Sequence, residues 1–552
     1  MSRIPSVMPA QSRFATVPQA DIPRSSFDRS HGYKTTFNAG DLIPIFVDEA
    51  LPGDTFSLNM TGFARLATPL HPFMDNLFLN TFFFAVPIRL IWDNWEKFNG
   101  AQDNPDDSTD FLVPIIQAPA GGFANSSIYD YMGLPTAVPS IQLAAFHCRA
   151  YNLIWNEWFR DENLQDSIVV HKDDGPDPYT DYVLKKRGKR HDYFTSCLPW
   201  PQKGESVDIP IGQFAPVTGS VNIVSNSNPP TFSSTGGLNP NASNLRLSPL
   251  SAGPLPADVR FGMNTDTGSL GAGDKFLIFG GQSGLVGSAG PDLIADLSDA
   301  TAATINQLRQ AFQIQKLYER DARGGTRYTE VVRAHFGVVS PDARLQRPEY
   351  LGGGQSAVNL YTVPQTSNTD TQPTPQGNLA AYGTSVLSGH GFTKSFTEHC
   401  VIIGLASCRA DLTYQQGINR MFSRRTRWDF YWPALAHIGE QAVLNKEIYA
   451  QGTPVDDAVF GYQERFAEYR YKPSLITGEM RSNFAQSLDT WHLSQDFDAL
   501  PALNDAFIQD NPPIDRVIAV PSSPHFIFDS YFNLRCVRPM PVYGVPGLID
   551  HF

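Results

Sequence analysis

The chain has 552 residues, 12% of them aromatic, and its 43 glycines and 43 prolines fall short of a low-complexity composition. Such a composition supplies a large hydrophobic core and excludes a disordered chain. With 42 lysines and arginines against 55 aspartates and glutamates, the net charge of −13 excludes a protein that is basic throughout, although local basic surfaces remain open.

Residues 1–40 are predicted to form an extended N-terminal arm. Four prolines between positions 5 and 23 disfavour helix and sheet. The segment is locally basic, with five lysines and arginines against two aspartates. Arg3 and Arg13 are therefore candidate contacts to nucleic acid or to a neighbouring subunit, and a frayed terminus is the alternative.

Residues 41–204 are predicted to form the first part of a β-sandwich with helical insertions. Short apolar runs punctuated by proline and glycine over residues 41–92 are typical of sandwich strands. Residues 88–98 look like a short amphipathic helix. Apolar side chains recur at three-to-four spacing over residues 141–164, which predicts a second helix.

The loop at residues 171–181 is acidic. It contains Asp173, Asp174, Asp177 and Asp181. Carboxylate oxygens are ligands that Ca²⁺ prefers, but the loop lacks the terminal glutamate of an EF-hand. A solvated acidic loop is the simpler interpretation and a Ca²⁺ site the alternative; no other cofactor is expected.

The densest basic cluster follows this loop and precedes two aromatic residues. It consists of Lys185, Lys186, Arg187, Lys189 and Arg190. Cations that neutralise phosphates beside rings on which bases stack are suited to binding a single nucleic acid strand. Ion pairing with the preceding aspartates, or at a subunit interface, is the alternative that we favour.

Residues 205–300 form a predicted insertion that is poor in charge. Residues 209–290 contain only six charged side chains and are rich in Ser, Thr, Asn, Gly and Pro. This composition indicates short strands and long loops. Such a surface is suited to recognition of neutral partners or to plain solvent exposure.

Residues 301–538 return to the sandwich with further helices and loops. Helices are predicted over residues 303–323 and 326–336, strands over 350–417, and a last strand over 525–540. Residues 539–552, rich in proline, are predicted to form a C-terminal arm. Strands that open and close the chain favour a sandwich over regular βαβ alternation.

A second basic patch combines arginines with aromatic residues. It contains Arg420, Arg424, Arg425 and Arg427 among five rings between positions 422 and 432. Such a patch can bind a nucleic acid strand or form cation–π packing in a core or interface. We favour packing.

Neither catalytic motifs nor a membrane span are found in the sequence. It has no P-loop, GxSxG, HExxH or dinucleotide-binding fingerprint, so no enzyme is expected. No apolar run approaches the roughly 18–20 residues of a membrane helix, and no secretory leader is recognisable. The five cysteines form no CxxC pair, which predicts buried free thiols.

Four long segments carry a resemblance to a known family. They are RLIWDNWEKFNGAQ (89–102), KRHDYFTSCLPWPQKG (189–204), RMFSRRTRWDFYWPAL (420–435) and FNLRCVRPMPVYGVPGLIDHF (532–552). The chain resembles the major capsid proteins of gokushoviruses, small tailless Microviridae phages with circular single-stranded DNA. The resemblance covers most of the chain but not the insertion in detail.

The resemblance implies a fold, an assembly and a set of partners. The fold is a mainly β, eight-stranded antiparallel viral jelly roll with long insertions, and about 60 copies close a T=1 icosahedral shell. The insertion at 205–300 corresponds to a threefold protrusion and a candidate surface for a host cell-surface receptor. Implied partners are further copies of the chain, the circular single-stranded DNA genome, a small basic DNA-binding virion protein and a DNA pilot protein. The implied location is the virion, assembled in the bacterial cytoplasm.

Two other classes of protein remain as alternatives to a shell protein. A jelly-roll carbohydrate-active protein would need two carboxylates about 5–10 Å apart in a cleft, and no such acid pair stands out. A dedicated single-strand DNA-binding module is disfavoured by the net charge of −13.

Overall fold

The computed structural model describes residues 23–205, 207, 217–218, 294–295, 305–342, 344, 346–367 and 376–543. Two compact units divide the chain. One comprises residues 1–205 and 316–552, and the other residues 206–315. Most of the predicted insertion at 205–300, Arg3 and Arg13 of the N-terminal arm, and residues 544–552 lie outside the described residues.

The described residues form strands and helices with the following bounds. The strands are β1 (Ser25–Asp28), β2 (His31–Phe37), β3 (Ile43–Ala50), β4 (Thr55–Leu66), β5 (Leu77–Pro87), β6 (Ile115–Gln117), β7 (Gln142–Ala144), β8 (Val217–Thr218), β9 (Ile294–Ala295), β10 (Glu349–Pro364), β11 (Leu379–Ser395), β12 (Cys400–Ala410), β13 (Thr413–Tyr414), β14 (Glu440–Leu444), β15 (Val459–Glu464), β16 (Ser474–Leu475) and β17 (Phe526–Arg538). The α-helices are α1 (Trp95–Phe98), α2 (Ile128–Tyr131), α3 (Phe146–Ile154), α4 (Ile305–Gly324), α5 (Tyr328–Phe336), α6 (Asn445–Ile448) and α7 (Asp505–Ile508). A π-helical turn, Trp155–Phe159, extends α3. Single 3-10 turns lie at Ile88–Leu90, Tyr179–Asp181, Arg420–Phe422, Arg427–Asp429, Pro433–Leu435, Pro454–Asp457, Ala467–Tyr469, Gly478–Met480, Asp489–Trp491 and Ile514–Arg516.

A curled antiparallel sheet is the framework of the first unit. Its strand order is β1-β17-β4-β11-β10-β5-β12-β3, and β2 pairs with the same edge of β17 as β1. Because β1 and β2 share one position beside β17, nine strands occupy eight positions in the sheet. The predicted jelly roll is confirmed. β10 pairs with β5 over its first part and with β11 over its last residues, so it connects the two halves of the sandwich.

The main core lies between these halves. Alternate side chains of β4 and β17 point into it, because successive residues of a strand face opposite sides of a sheet. The inward-facing side chains of these two strands are Phe56, Leu58, Met60, Ala64, Leu66, Phe526, Phe528, Phe532, Leu534 and Cys536. This alternation is the pattern of strands that are buried on one face only.

A second core covers the outer face of β5 and β12. Phe84 and Val86 of β5 and Ile403 of β12 pack there with Tyr151 and Ile154 of α3. Both faces of these two strands are thus buried, which accounts for their nearly continuous apolar sequences. This packing also holds the acidic loop and the basic cluster beside α3.

Three consecutive glycines allow β10 to pass between its neighbours. A Cβ at Gly352 would lie 2.4 Å from the carbonyl oxygen of Gly391, and one at Gly353 would lie 2.1 Å from that of Thr81. At Gly354 it would meet the His390 ring at 2.5 Å. The close backbone approach at this junction therefore requires residues without a side chain.

Several predictions from the sequence need correction. The prolines do not keep residues 1–40 out of regular structure: Ser25–Asp28 and His31–Phe37 pair with β17, because the prolines end at Pro23 and leave this stretch free to donate to the ladder. Residues 88–98 form two separate short turns rather than one helix. The helix predicted over 141–164 is shorter, since Gln142–Ala144 pairs with β6.

The remaining expectations for the core are confirmed. Strands over residues 41–92 and 350–417, the last strand, and both helices between residues 303 and 336 are present. All five cysteines are buried and unpaired.

Candidate interaction sites

Arg149 organises the acidic loop from the interior. Its Nε donates to Asp177 Oδ2 at 2.7 Å and its Nη2 to Asp177 Oδ1 at 2.6 Å, while Nη1 donates to the carbonyls of Ile91 and Asp173 at 3.0 and 2.9 Å. The Arg149 and Asp177 side chains are 0% and 1% exposed. Burial alone would lower the pKa of Arg149, but the hydrogen bond and charge of Asp177 outweigh it and raise that pKa.

The other loop carboxylates also have protein partners. Asp174 accepts from Trp92 Nε1 at 2.7 Å and from Asn94 Nδ2, and Asp181 lies 2.8 Å from His171 Nε2. These hydrogen bonds lower the pKa of Asp174. Side-chain ligand atoms of His171, Asp173 and Asp177 lie within 4.8 Å of one another, but Asp177 is already neutralised by Arg149. A Ca²⁺ site at this loop stays a prediction.

The basic cluster at residues 185–190 alternates between internal and surface contacts. Lys185 Nζ lies 5.6 Å from the Trp155 ring, Lys186 Nζ donates to Asn511 Oδ1 at 2.7 Å, and Arg190 pairs with Asp411. None of these partners belongs to the acidic loop. Within the part of the chain that the structure describes, no ion pair joins the two, so the expected pairing does not occur within one chain, and pairing at a subunit interface stays a prediction.

Arg187 and Lys189 point inward. Arg187 Nη1 donates to Asn80 Oδ1 at 3.1 Å and its guanidinium lies 4.7 Å from the Phe82 ring centre. Lys189 Nζ lies 4.4 Å from the centre of the Phe507 ring. Burial lowers the pKa of Arg187 to about 9 and also lowers that of Lys189.

Asp510 is the buried carboxylate behind these cations. Burial raises its pKa to about 7, against the opposing charges of Arg409, Lys189 and Arg187. Its Oδ2 has no hydrogen-bond partner among the described residues. The cluster thus carries more positive charge than its surroundings neutralise.

The second basic patch is largely packed. Arg420 Nη1 lies 2.9 Å from Glu447 Oε1, and Arg424 Nη2 lies 3.3 Å from Glu468 Oε1. Arg424 also stacks 4.3 Å from the Tyr469 ring centre. Both arginines therefore have an ion-pair partner within the chain.

Arg425 and Arg427 of the same patch are exposed. The Arg427 guanidinium lies 4.5 Å from the Trp432 ring centre and 5.4 Å from that of Trp428. These cation–π contacts lie on a surface on which the rings face outward, and the packing at an interface that the sequence favours stays a prediction.

An exposed aromatic surface adjoins this patch. We define it by the exposed apolar and aromatic side chains Ile418, Met421, Phe422, Trp428, Phe430, Tyr431, Trp432, Ile438, Tyr469, Tyr471 and Leu475. Phe422 is 75% exposed and Trp428 58%, and a cavity of about 570 Å³ joins Met421 to Leu475. Exposed apolar patches of this kind mark protein–protein contacts.

The residues at the centres of these sites are hard to recognise from the sequence alone. Arg149 interrupts the apolar face of α3, and Arg409 lies between Cys408 and Ala410 in an otherwise apolar strand. A lone charged residue in a buried element is the pattern that could have identified both, because such charges need a partner. Asp510, in a short loop, has no such signature.

The jelly roll and the uncovered aromatic surface define a structural protein that associates with others. The family model described as capsid protein (F protein) matches residues 15–548, so the chain belongs to this family of phage capsid proteins. It is a virion protein and not an enzyme.

Relatives of known name match almost the whole chain. Capsid protein VP1 of Bdellovibrio phage phiMH2K is 52% identical, covering 98% of each chain, and that of Chlamydia phage 1 is 48% identical, covering 99% of each. Capsid protein VP1 of Spiroplasma virus 4 is 39% identical over 96% of each. The resemblance to gokushovirus capsid proteins is confirmed. Among the helices that the structure describes, none has the length and apolar character to cross a bilayer.

Proposed function

We propose that this chain is the major shell protein of a small phage, about 60 copies of which close a T=1 icosahedral capsid. The exposed aromatic surface is the observation that supports the proposal. Its rings are exposed in a single copy of the chain, with Phe422, Trp428 and Phe430 each more than half uncovered. A closed shell provides the neighbouring copies that would remove this area from water.

The proposed cargo is a circular single-stranded DNA genome. The net charge of −13 means that this chain alone does not neutralise a packaged polyanion. A small basic DNA-binding virion protein would supply the missing positive charge, and a DNA pilot protein is the other proposed partner. Assembly in the cytoplasm of a bacterial host is supported by the five free cysteines and by the phage names of the relatives.

A role in host attachment is proposed for residues 205–300. Only six charged side chains occur between positions 209 and 290, which is suited to contacts with a neutral receptor. Replacing residues 215–285 by a short linker should leave shell formation intact and reduce adsorption to the host. Normal adsorption by the trimmed particles would contradict this part of the proposal.

Sedimentation velocity of the purified full-length chain tests the shell proposal. We expect megadalton particles, and in particles recovered from infected cells we expect DNA protected from nuclease. A chain that stays monomeric under all assembly conditions would contradict the proposal, and empty particles would contradict the proposed cargo.

A further inference from the structure

A cavity of about 490 Å³ opens beside the basic cluster. Strands β5, β10 and β12, the π-helical turn after α3 and the start of α5 surround it. Its lining includes the cationic side chains of Arg187, Lys189 and Arg409 and the rings of Trp158, Phe159 and Tyr350. Its volume lies in the range of about 300–1,000 Å³ that is usual for small-molecule sites.

Three cations of this cavity make no ion pair. Among the described residues, no carboxylate oxygen lies within 4.0 Å of the charged nitrogens of Arg187, Lys189 or Arg409, although the charge of the buried Asp510 acts on all three. Arg409 Nη1 makes a 3.4 Å hydrogen bond to the carbonyl of Gly188. Guanidinium groups without an ion-pair partner at the wall of a cavity are suited to an anion that brings several acceptor oxygens.

The cavity wall contains five cationic residues and two acidic residues, Asp161 and Glu330. Asp161 accepts a hydrogen bond from the backbone N–H of Asn163 at 2.9 Å. Glu330 pairs with Arg327 at 3.0 Å, and Arg327 also lies 2.8 Å from Glu162. Asp510, behind the cations, is largely buried and is not in ion-pair contact with them. An entering anion would therefore meet an excess of positive charge on the side formed by Arg187, Lys189 and Arg409.

Aromatic rings form another part of the cavity wall. Phe82 and Phe159 make an edge-to-face contact with centres 5.3 Å apart, and Trp158 and Tyr350 lie 6.0 Å apart. Tyr350 is 41% exposed, and Trp158 and Phe159 are partly exposed. An inorganic anion needs no such wall, whereas a flat heterocycle gains by stacking on it.

We propose that this cavity binds one nucleotide unit of a single DNA strand. The phosphate accepts hydrogen bonds from Arg187 and Arg409, and the base lies against Phe159, Trp158 or Tyr350. The proposal rests on the proposed DNA cargo and adds a defined contact to it.

Binding to the purified full-length chain is the first test. The probe is a fluorescently labelled five-residue oligothymidylate, followed by anisotropy at several salt concentrations. Arg409→Gln should weaken binding about tenfold and reduce the salt slope by about one counterion. Tyr350→Ala should weaken binding with little change in salt slope. Because the ring also contacts the buried Phe84, urea unfolding of this variant is measured beside that of the unaltered chain.

Controls separate the site from general electrostatics and from a free nucleotide. Arg65→Gln removes an exposed arginine of β4, outside the cavity, and should bind the probe as the unaltered chain does. Equal binding by all three variants would overturn the proposal. Thymidine monophosphate that competes as well as the strand would identify a free nucleotide as the ligand and overturn the strand assignment; inorganic phosphate that competes equally well would overturn the base contact.

Photo-cross-linking in intact particles is the second test and distinguishes the two proposals. DNA substituted with 5-iodouracil is packaged, irradiated and digested, and the cross-linked peptides are identified by mass spectrometry. Peptides containing Trp158 and Phe159, or Tyr350, are expected. Particles with normal DNA content whose cross-links lie elsewhere overturn the cavity assignment alone. Particles without DNA overturn the proposed cargo. The anisotropy assay then still tests whether the cavity binds a single DNA strand.

Discussion

Arg149 and Asp177, 28 positions apart, form a bidentate ion pair in which neither side chain is open to solvent. The Tyr182 hydroxyl donates to the same carboxylate, and Arg149 also binds two backbone carbonyls. The acidic loop, which looks like a surface feature in the sequence, is thereby tied to α3 and to the end of β5.

Removing one partner of this pair should destabilise the chain strongly. Arg149→Met leaves the Asp177 carboxylate buried without a counterion, at a cost of about 3–5 kcal/mol in the free energy of unfolding. Urea unfolding followed by intrinsic fluorescence measures the loss. Arg190→Met is the matched control: its pair with Asp411 is solvent-exposed, and the expected loss is about 0–1 kcal/mol. Equal losses for the two variants would contradict the structural role of Arg149.

Asp510 should make stability depend on pH. In the unfolded chain an aspartate has a pKa of about 3.9, whereas burial raises the pKa of Asp510 to about 7 in the folded chain. Between these values the folded state retains a proton that the unfolded state has lost. The free energy of unfolding therefore falls as pH rises from about 4 to 7, by at most about 1.4 kcal/mol per pH unit, and this contribution is constant above pH 7.

The variant Asp510→Asn isolates this effect. Its stability advantage over the unaltered chain should grow from pH 4 to 7 and then level off, as measured by urea unfolding at each pH. Asp529→Asn, at an exposed site of β17, is the control for replacing an aspartate elsewhere on the chain. A pH profile for Asp510→Asn that does not differ from that of this control would show that Asp510 is not perturbed by burial.

The glycine junction of β10 should be intolerant of a side chain. Gly353→Ala would place a methyl group 2.1 Å from the carbonyl oxygen of Thr81, and the resulting shift of β10 against β5 should cost about 1–3 kcal/mol. Gly121→Ala is the control, because nothing lies within 4 Å of its added Cβ. A change in the urea midpoint no larger than that of the control would contradict the close approach.

The aromatic surface should matter for assembly and not for folding. Phe422→Ser changes a side chain that is 75% exposed in one copy of the chain, so unfolding should change by less than about 0.5 kcal/mol. Particle yield by sedimentation should fall at least severalfold, since the ring would lose its contact with a neighbour. Leu112→Ser, at an 82% exposed leucine outside this surface, provides the comparison. Full particle yield from Phe422→Ser would remove this ring from the interface.

Much of the fold could be predicted because its determinants are local. The alternation along β17 and the helical spacing of α4 and α5 are visible in the sequence and confirmed by the structure. The short β1 and β2 could not be predicted, because they are polar and exist through pairing with a distant strand, as in Ser25 with Arg538, which are 513 positions apart.

The candidate sites were harder to predict than the fold, because their residues come from distant parts of the sequence. The sequence identified the basic cluster, but not that Arg187 would face Phe82 and Asn80 or that Asp510 would lie behind it. These partners are brought together by β5 and by the loop after α7. The arginine–aromatic patch was predicted better, since Arg427 and Trp432 are near neighbours in the chain.

An electron-microscopy reconstruction of the purified particle would show directly whether this chain builds a shell. We expect a closed icosahedral shell in which the jelly roll is the repeating unit and the aromatic surface around Phe422 and Trp428 is buried against a neighbouring copy. A particle in which that surface faces solvent, or a chain that forms no closed shell, would contradict it.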